Sequence, residues 1–174
     1  VRHADVANQF LVTAQCQNQV CVFRVPRERV SVQSYRLMDG AAAGELQFEN
    51  VRVENADRLE FAQPAATELA NALEWGLFGL AAETLGMIEA ANEATFQYLV
   101  TRKQFGVPIG SFQALQHRAA DMRVAQEELD ALMNLAVEAM GEGPSEQRSA
   151  LISAAKVLAD EAGRRVGHEA VQMH

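Results

Sequence analysis

The chain has 174 residues, of which 49% are hydrophobic and 22% charged, and its formal net charge is −8. These values are typical of a globular protein that buries a core of its own. The acidic balance argues against a nucleic-acid surface, which needs clustered basic charge, and no apolar run approaches the ~18 residues of a membrane span.

The first 60 residues read as short strands. Apolar, β-branched or aromatic runs occur at residues 10–12 and 20–23, and residues 30–33 alternate with period two. Asp39-Gly40 is a turn signal, and alternation returns between Leu46 and Val53. We therefore predict a meander of antiparallel strands that forms the latter part of a larger sheet domain.

The two cysteines, Cys16 and Cys21, lack the spacing of a CxxC motif and flank a predicted hairpin turn at residues 17–19. Two free thiols in strands is the simplest interpretation. Free thiols favour a reducing compartment, so we expect a cytoplasmic protein.

The remainder reads as three long helices, from about Pro64 to Lys103, from Ser111 to about Met140, and from Ser145 to the last residues. In each helix, apolar or small residues recur every three or four positions, which is typical of a buried helical stripe. The predicted stripes include Leu77, Ala81, Leu85, Ile88, Ala91, Thr95 and Tyr98 in the first, Phe112, Leu115, Met122, Ala125 and Leu129 in the second, and Leu151, Ala155, Leu158, Ala162 and Val166 in the third.

Three long helices with short connections predict an antiparallel bundle, and the fold class is therefore α+β. Gly163 and Gly167, spaced by four, would let another backbone approach closely. The sequence holds no fourth long helix, so we expect a partner chain or further C-terminal sequence to cover the exposed apolar face.

The joint between the first two helices is the most informative segment. Gly106 permits backbone angles that other residues avoid, and Pro108 biases Val107 away from the helical region. Ser111 is predicted to cap the next helix through its hydroxyl. This corner would present hydrogen-bond donors and an aromatic ring to an anionic, ring-bearing ligand, through Arg102, Lys103, Gln104 and Phe105.

Residues 102–122, RKQFGVPIGSFQALQHRAADM, resemble the hallmark of the acyl-CoA dehydrogenases. Residues 46–53, 83–86 and 170–174 also resemble segments of that family, and residues 98–117 most resemble its small-subunit pimeloyl-CoA dehydrogenase branch. The resemblance implies that residues 1–60 are the latter part of the family's middle β-domain. Residues 61–174 would then be its C-terminal helical bundle, truncated.

The family oxidises the Cα–Cβ bond of an acyl-CoA thioester with FAD, and its members form dimers or tetramers. Its usual catalytic Glu lies downstream of the segment that matches the end of this chain, so the resemblance assigns no catalytic residue here. We expect a fragment that is inactive alone. A non-catalytic assembly subunit of a hetero-oligomeric dehydrogenase is the alternative.

The resemblance also assigns the FAD contacts. Arg102 matches an Arg at the FAD pyrophosphate, where a guanidinium donates two coplanar hydrogen bonds; the alternative is a helix-end charge that faces the macrodipole. Phe105 matches an aromatic near the adenine, or plugs the turn. The remaining matches are Lys103 and Gln104 beside Arg102, Phe112 and Gln113 at the adenosine, and Gln172 at the pyrophosphate.

Lys103 could instead be a solvated lysine, and Phe112 is also a natural first core residue of its helix. Glu74 matches a family acid near the pantetheine arm of CoA and is expected to bind substrate, although Leu77 stands where many members carry a substrate-binding Arg. The resemblance does not make Glu74 catalytic. Single histidines without ligand spacing predict no metal site: His117, His168 and His174.

Overall fold

The computed structural model describes all residues, Val1–His174, and divides into two compact units, Val1–Ala70 and Asn71–His174. Four strands in two small antiparallel sheets occupy the first unit, and three long helices account for nearly all of the second. This is the α+β class that the sequence predicted.

The first sheet is a hairpin of β1 (Gln9–Cys16) and β2 (Gln19–Pro26). Its register places Phe10 opposite Val25 and Cys16 opposite Gln19. Gln17 and Asn18 form the connection with φ angles of 44° and 71°, the left-handed values that a tight two-residue hairpin turn requires. The turn is therefore one residue shorter than predicted, because Gln19 already pairs with Cys16.

The second sheet pairs β3 (Ser31–Arg36) with β4 (Ala42–Gln47). The predicted single meander is wrong, because the two hairpins do not hydrogen-bond to each other. Pro26 closes β2 without an N–H to donate, and a 3₁₀ turn at Arg27–Arg29 follows it. The alternation predicted to continue to Val53 ends at Gln47, and Asn50 then adopts a φ of 52°.

The core of the first unit is small and is built around Ala4, Phe10, Val25 and Val30. Both cysteines are free, and Cys21 is buried. A hydrogen bond with the Cys21 thiol is the main cause that raises the pKa of the Cys16 thiol. The register pairs Cys21 with Ala14, two residues before Cys16, so the two thiols lie on the same face of the hairpin.

The three helices are α1 (Ala65–Thr101), α2 (Gln113–Glu142) and α3 (Glu146–Met173). Gly143 ends α2 with a φ of 93°. The Ser145 hydroxyl then caps α3 by accepting a hydrogen bond from the backbone N–H of Arg148 at 3.1 Å. Between α1 and α2 the chain forms two short strands, β5 (Lys103–Gln104) and β6 (Val107–Pro108), and a 3₁₀ turn at Ile109–Ser111.

The predicted stripes supply most of the helical core, which includes Ala81, Ile88, Met122, Ala125, Leu129, Ala155, Ala162 and Val166. A buried amide also joins two helices: Asn92 Nδ2 donates to the carbonyl of Met122 at 3.2 Å and to Gln126 Oε1 at 2.7 Å. None of the helices combines the length and the apolar content needed to cross a membrane.

The two glycines of α3 differ in their surroundings. A Cβ on Gly163 would lie 3.2 Å from Thr84 Cγ2 of α1, whereas a Cβ on Gly167 would meet no atom within 4 Å. Within the chain, only a side chain approaches Gly163 and no atom approaches Gly167, so neither glycine shows the close backbone approach that was predicted. An approach by the backbone of a partner chain stays a prediction.

Candidate functional site

The candidate site is built on the corner between α1 and α2. The backbone N–H of Arg102 still donates to the carbonyl of Tyr98 at 2.9 Å, and the N–H of Ile109 donates to the carbonyl of Arg102 at 2.9 Å. The chain between them forms a miniature hairpin whose turn residues, Phe105 and Gly106, have φ angles of 53° and 82°. Phe105 stands at the tip with 92% of its surface exposed.

Close packing holds this corner against the last turn of α1. Ile109 is buried, and a Cβ on Gly110 would lie only 2.9 Å from the carbonyl oxygen of Leu99. The Gln116 side chain reaches back from α2 and donates to the carbonyl of Gly110 at 2.9 Å. Glycine at position 110 therefore permits an approach that a larger residue would obstruct.

Ser111 does not cap α2, contrary to the prediction. Its hydroxyl donates to the carbonyl of Pro108 at 2.7 Å and so closes the 3₁₀ turn. The helix begins at Gln113, and Phe112 occupies the N-cap position without a side-chain cap. The inserted 3₁₀ turn displaces the helix start by two residues.

Phe112 is not a core residue either, because 37% of its surface is exposed. Its ring packs edge-to-face against Phe105, with ring centroids 6.2 Å apart and an interplanar angle of 80°. Such a geometry is favourable for aromatic pairs. The structure therefore brings together the two aromatics that the sequence assigned to the adenosine portion of FAD.

The polar residues predicted for the same site surround this aromatic pair in sequence and are exposed: Arg102, Lys103, Gln104 and Gln113. The chain contains seven ion pairs, and neither Arg102 nor Lys103 takes part in any of them. Arg102 and Lys103 thus have no internal counter-ion, and they precede Phe105 by three and two residues.

A second contact brings the end of α3 to this end of the helical unit. The rings of Tyr98 and His174 stack with centroids 4.6 Å apart and an interplanar angle of 25°. Nδ1 of His174 lies 2.8 Å from the carbonyl oxygen of Ala170, which accepts its proton in the Nδ1–H tautomer. Tyr98 precedes Arg102 by one helical turn, and His174 follows the exposed Gln172 by two residues.

Glu74 lies elsewhere, about 40 Å from Arg102 along α1 at 1.5 Å per residue. One carboxylate oxygen accepts a hydrogen bond from Nε of the buried Arg148 at 2.7 Å and lies 2.5 Å from its terminal nitrogen in an ion pair. The other accepts from the Ser149 hydroxyl, and Arg148 also donates to Asn71 at 2.9 Å. Ser149 first, and then Arg148, lower the pKa of Glu74 despite its burial.

Sequence reasoning missed the partners that hold these elements in place. Arg148 is 3% exposed, but an arginine in a polar first turn gives no signal that it is buried. The hydrogen bond from Gln116 to Gly110 and the stack of Tyr98 on His174 depend on tertiary packing. The periodicity of apolar residues does not specify that packing.

Comparison with known proteins shows the family. The model for "Acyl-CoA dehydrogenase, C-terminal domain" matches residues 67–174. The probable acyl-CoA dehydrogenase YngJ of Bacillus subtilis is 32% identical over 139 residues, which span 78% of this chain and 35% of YngJ.

Solved structures agree. One chain of the ChsE4–ChsE5 complex of Mycobacterium tuberculosis matches with a TM-score of 0.86 and 29% identity, covering 100% of this chain and 46% of that one. The FAD complex of PigA matches with a TM-score of 0.87 and 21% identity over 99% of this chain and 47% of PigA, which shows the shared fold. The chain thus spans less than half the length of these proteins. It belongs to the acyl-CoA dehydrogenase family and carries that family's C-terminal domain.

Proposed function

We propose that the chain is the C-terminal portion of an FAD-dependent acyl-CoA dehydrogenase, in which it supplies part of the FAD site and the contacts between subunits. One observation carries the proposal: in a chain of this family, a rigid corner presents an exposed Arg102 without an internal partner beside the paired rings of Phe105 and Phe112.

The donor set of the corner fits the chemistry of a dinucleotide. The Arg102 guanidinium can donate two coplanar hydrogen bonds to pyrophosphate oxygens, and Lys103 adds a second positive charge. The exposed ring of Phe105 offers a face for the adenine. Amide groups for the ribose and phosphates come from Gln104, Gln113 and Gln172.

FAD, when bound, would supply the electron acceptor for the oxidation of the Cα–Cβ bond of an acyl-CoA thioester. The corner would contribute binding and orientation to this reaction, and none of its residues is assigned as the base. Acyl-CoA is the proposed substrate, and the cytoplasm the proposed location.

The contact between Glu74 and the pantetheine arm of CoA stays a prediction. Both of its carboxylate oxygens already accept hydrogen bonds within the chain, from Arg148 and Ser149. A contact with CoA would therefore have to share the carboxylate with these partners, and Leu77 supplies no charge to assist.

A flavin spectrum of the complete protein tests the proposal. We expect bound FAD after purification and loss of its visible absorbance when a suitable acyl-CoA is added under anaerobic conditions. A protein that neither retains nor binds FAD would contradict the proposal.

An assembly subunit without its own chemistry is the second candidate, favoured by the match to a chain of the ChsE4–ChsE5 complex. Such a subunit would bind FAD only when mixed with a catalytic partner. Flavin content of the protein purified alone and together with a co-expressed partner distinguishes the two candidates.

A further inference from the structure

We propose that the stack of Tyr98 on His174 positions the FAD site, because it fixes the end of α3 that carries Gln172 next to the corner that carries Arg102. The proposal rests on the FAD-binding function proposed above. It assigns to His174 and Tyr98 the role of positioning residues, which touch each other and not the cofactor.

Each ring of the stack belongs to a helical turn that also carries, or directly precedes, a proposed FAD contact. The backbone N–H of Arg102 donates to the carbonyl of Tyr98 at 2.9 Å, so the two residues share one helical turn. On α3, the backbone N–H of His174 and its Nδ1 both lie within hydrogen-bond distance of the carbonyl of Ala170, at 3.3 and 2.8 Å. His174 is thus fixed to the same last turn as Gln172.

The rings of Tyr98 and His174 are in direct contact. The two ring planes are 25° apart and their centroids 4.6 Å apart, which leaves little freedom for one helix end to slide past the other. Met173, between Gln172 and His174, is buried in the helical core. The last turn of α3 is therefore anchored on one side by Met173 and on another by the stack.

The experiment is FAD titration of the complete protein by flavin fluorescence, with His174→Ala, His174→Leu and His174→Phe. Phe preserves a stacked ring, Leu preserves bulk without a ring, and Ala removes both. We expect Phe to bind FAD like the wild type, and Leu and Ala to bind about two- to tenfold more weakly. Tyr98→Leu should reproduce the loss from the other side of the stack.

His168→Ala, an exposed histidine on the same helix, is the matched control and should leave FAD affinity unchanged. Hydrogen exchange of residues 170–174 gives a readout that does not depend on FAD, and we expect faster exchange in His174→Leu than in His174→Phe. The inference would be overturned if His174→Phe, His174→Leu and the wild type had equal FAD affinity and equal rates of hydrogen exchange. If the wild type itself failed to bind FAD, the proposed function would fail, whereas the exchange measurement would still decide whether the stack orders the helix end.

Discussion

The guanidinium of Arg148 lies 2.5 Å from the carboxylate of Glu74 and joins the first turn of α3 to α1. Arg148 is 3% exposed, so water has little access to this ion pair. Removing either charge would leave the other without compensation. The hydroxyl of Ser149 and the amide oxygen of Asn71 complete the hydrogen bonds of the pair.

Arg148→Ala should lower the free energy of unfolding by about 3–5 kcal/mol, because it leaves the Glu74 carboxylate without its charged partner. Denaturant unfolding followed by circular dichroism measures the change. The double variant Glu74→Leu, Arg148→Met is the control and should recover much of the loss, since neither charge remains buried. A double variant as unstable as Arg148→Ala would show that the cost comes from packing.

Stability should depend on pH through Glu74. Its pKa is lowered in the folded state by Ser149 and Arg148, so folding favours the ionised form relative to an unfolded glutamate of pKa about 4.3. The contribution is complete above that unfolded value and is lost as the pH falls through the lower folded value. The stability difference between wild type and Glu74→Gln should therefore be constant from pH 8 to 6 and shrink on acidification below about pH 4.3. A difference that grows on acidification would have the wrong sign.

Gly110→Val should destabilise the corner by about 1–3 kcal/mol, because it forces atoms into the carbonyl of Leu99. Thermal unfolding measures the loss, and FAD affinity should fall with it. Gly79→Ala is the matched control: a Cβ there meets nothing within 4 Å, so alanine in the middle of α1 should stabilise by about 0.5–1 kcal/mol. Equal stability of Gly110→Val and wild type would show that the corner can move away from α1.

The outer face of α1 should bind another protein surface. Leu73, Leu80 and Met87 recur every seventh residue and are 69%, 51% and 59% exposed, and exposed apolar patches mark sites of interaction with other proteins. Sedimentation at tens of micromolar should show dimers or larger species, and Leu80→Glu should shift the distribution to lower mass. A wild type that sediments as a monomer, alone and with its genomic neighbours, would contradict this.

The helical unit was predictable from sequence because its stripes repeat over 28 to 37 residues, and the corner because Gly106 and Pro108 limit the backbone. The sheet pairing was not, since short strands such as β3 carry no signal for which neighbour they join. The helix start at Gln113 was missed because a serine hydroxyl can either accept a hydrogen bond from a following backbone N–H, as a helix cap does, or donate to a preceding carbonyl. Ser111 donates to the carbonyl of Pro108, and sequence does not decide between the two.

The family was predictable from the corner motif, and the proposed cofactor contacts rest on the same motif, whereas the partners of Glu74 were not predictable. The burial of Arg148 depends on α3 meeting α1, a tertiary contact that the polar sequence around Ser145 does not indicate. The same holds for Tyr98 and His174, which are distant in sequence and meet only through the packing of α3 against α1.

The most direct test of the account is the FAD affinity of Arg102 variants in the complete protein, measured by flavin fluorescence titration. A charge-assisted hydrogen bond contributes about 1.5–3 kcal/mol, so Arg102→Ala should bind FAD roughly ten- to a hundredfold more weakly. Arg102→Lys should be intermediate, because it keeps the charge and loses the planar fork. Equal FAD affinity in wild type and Arg102→Ala would contradict the account and would leave Arg102 as a charge at the end of a helix.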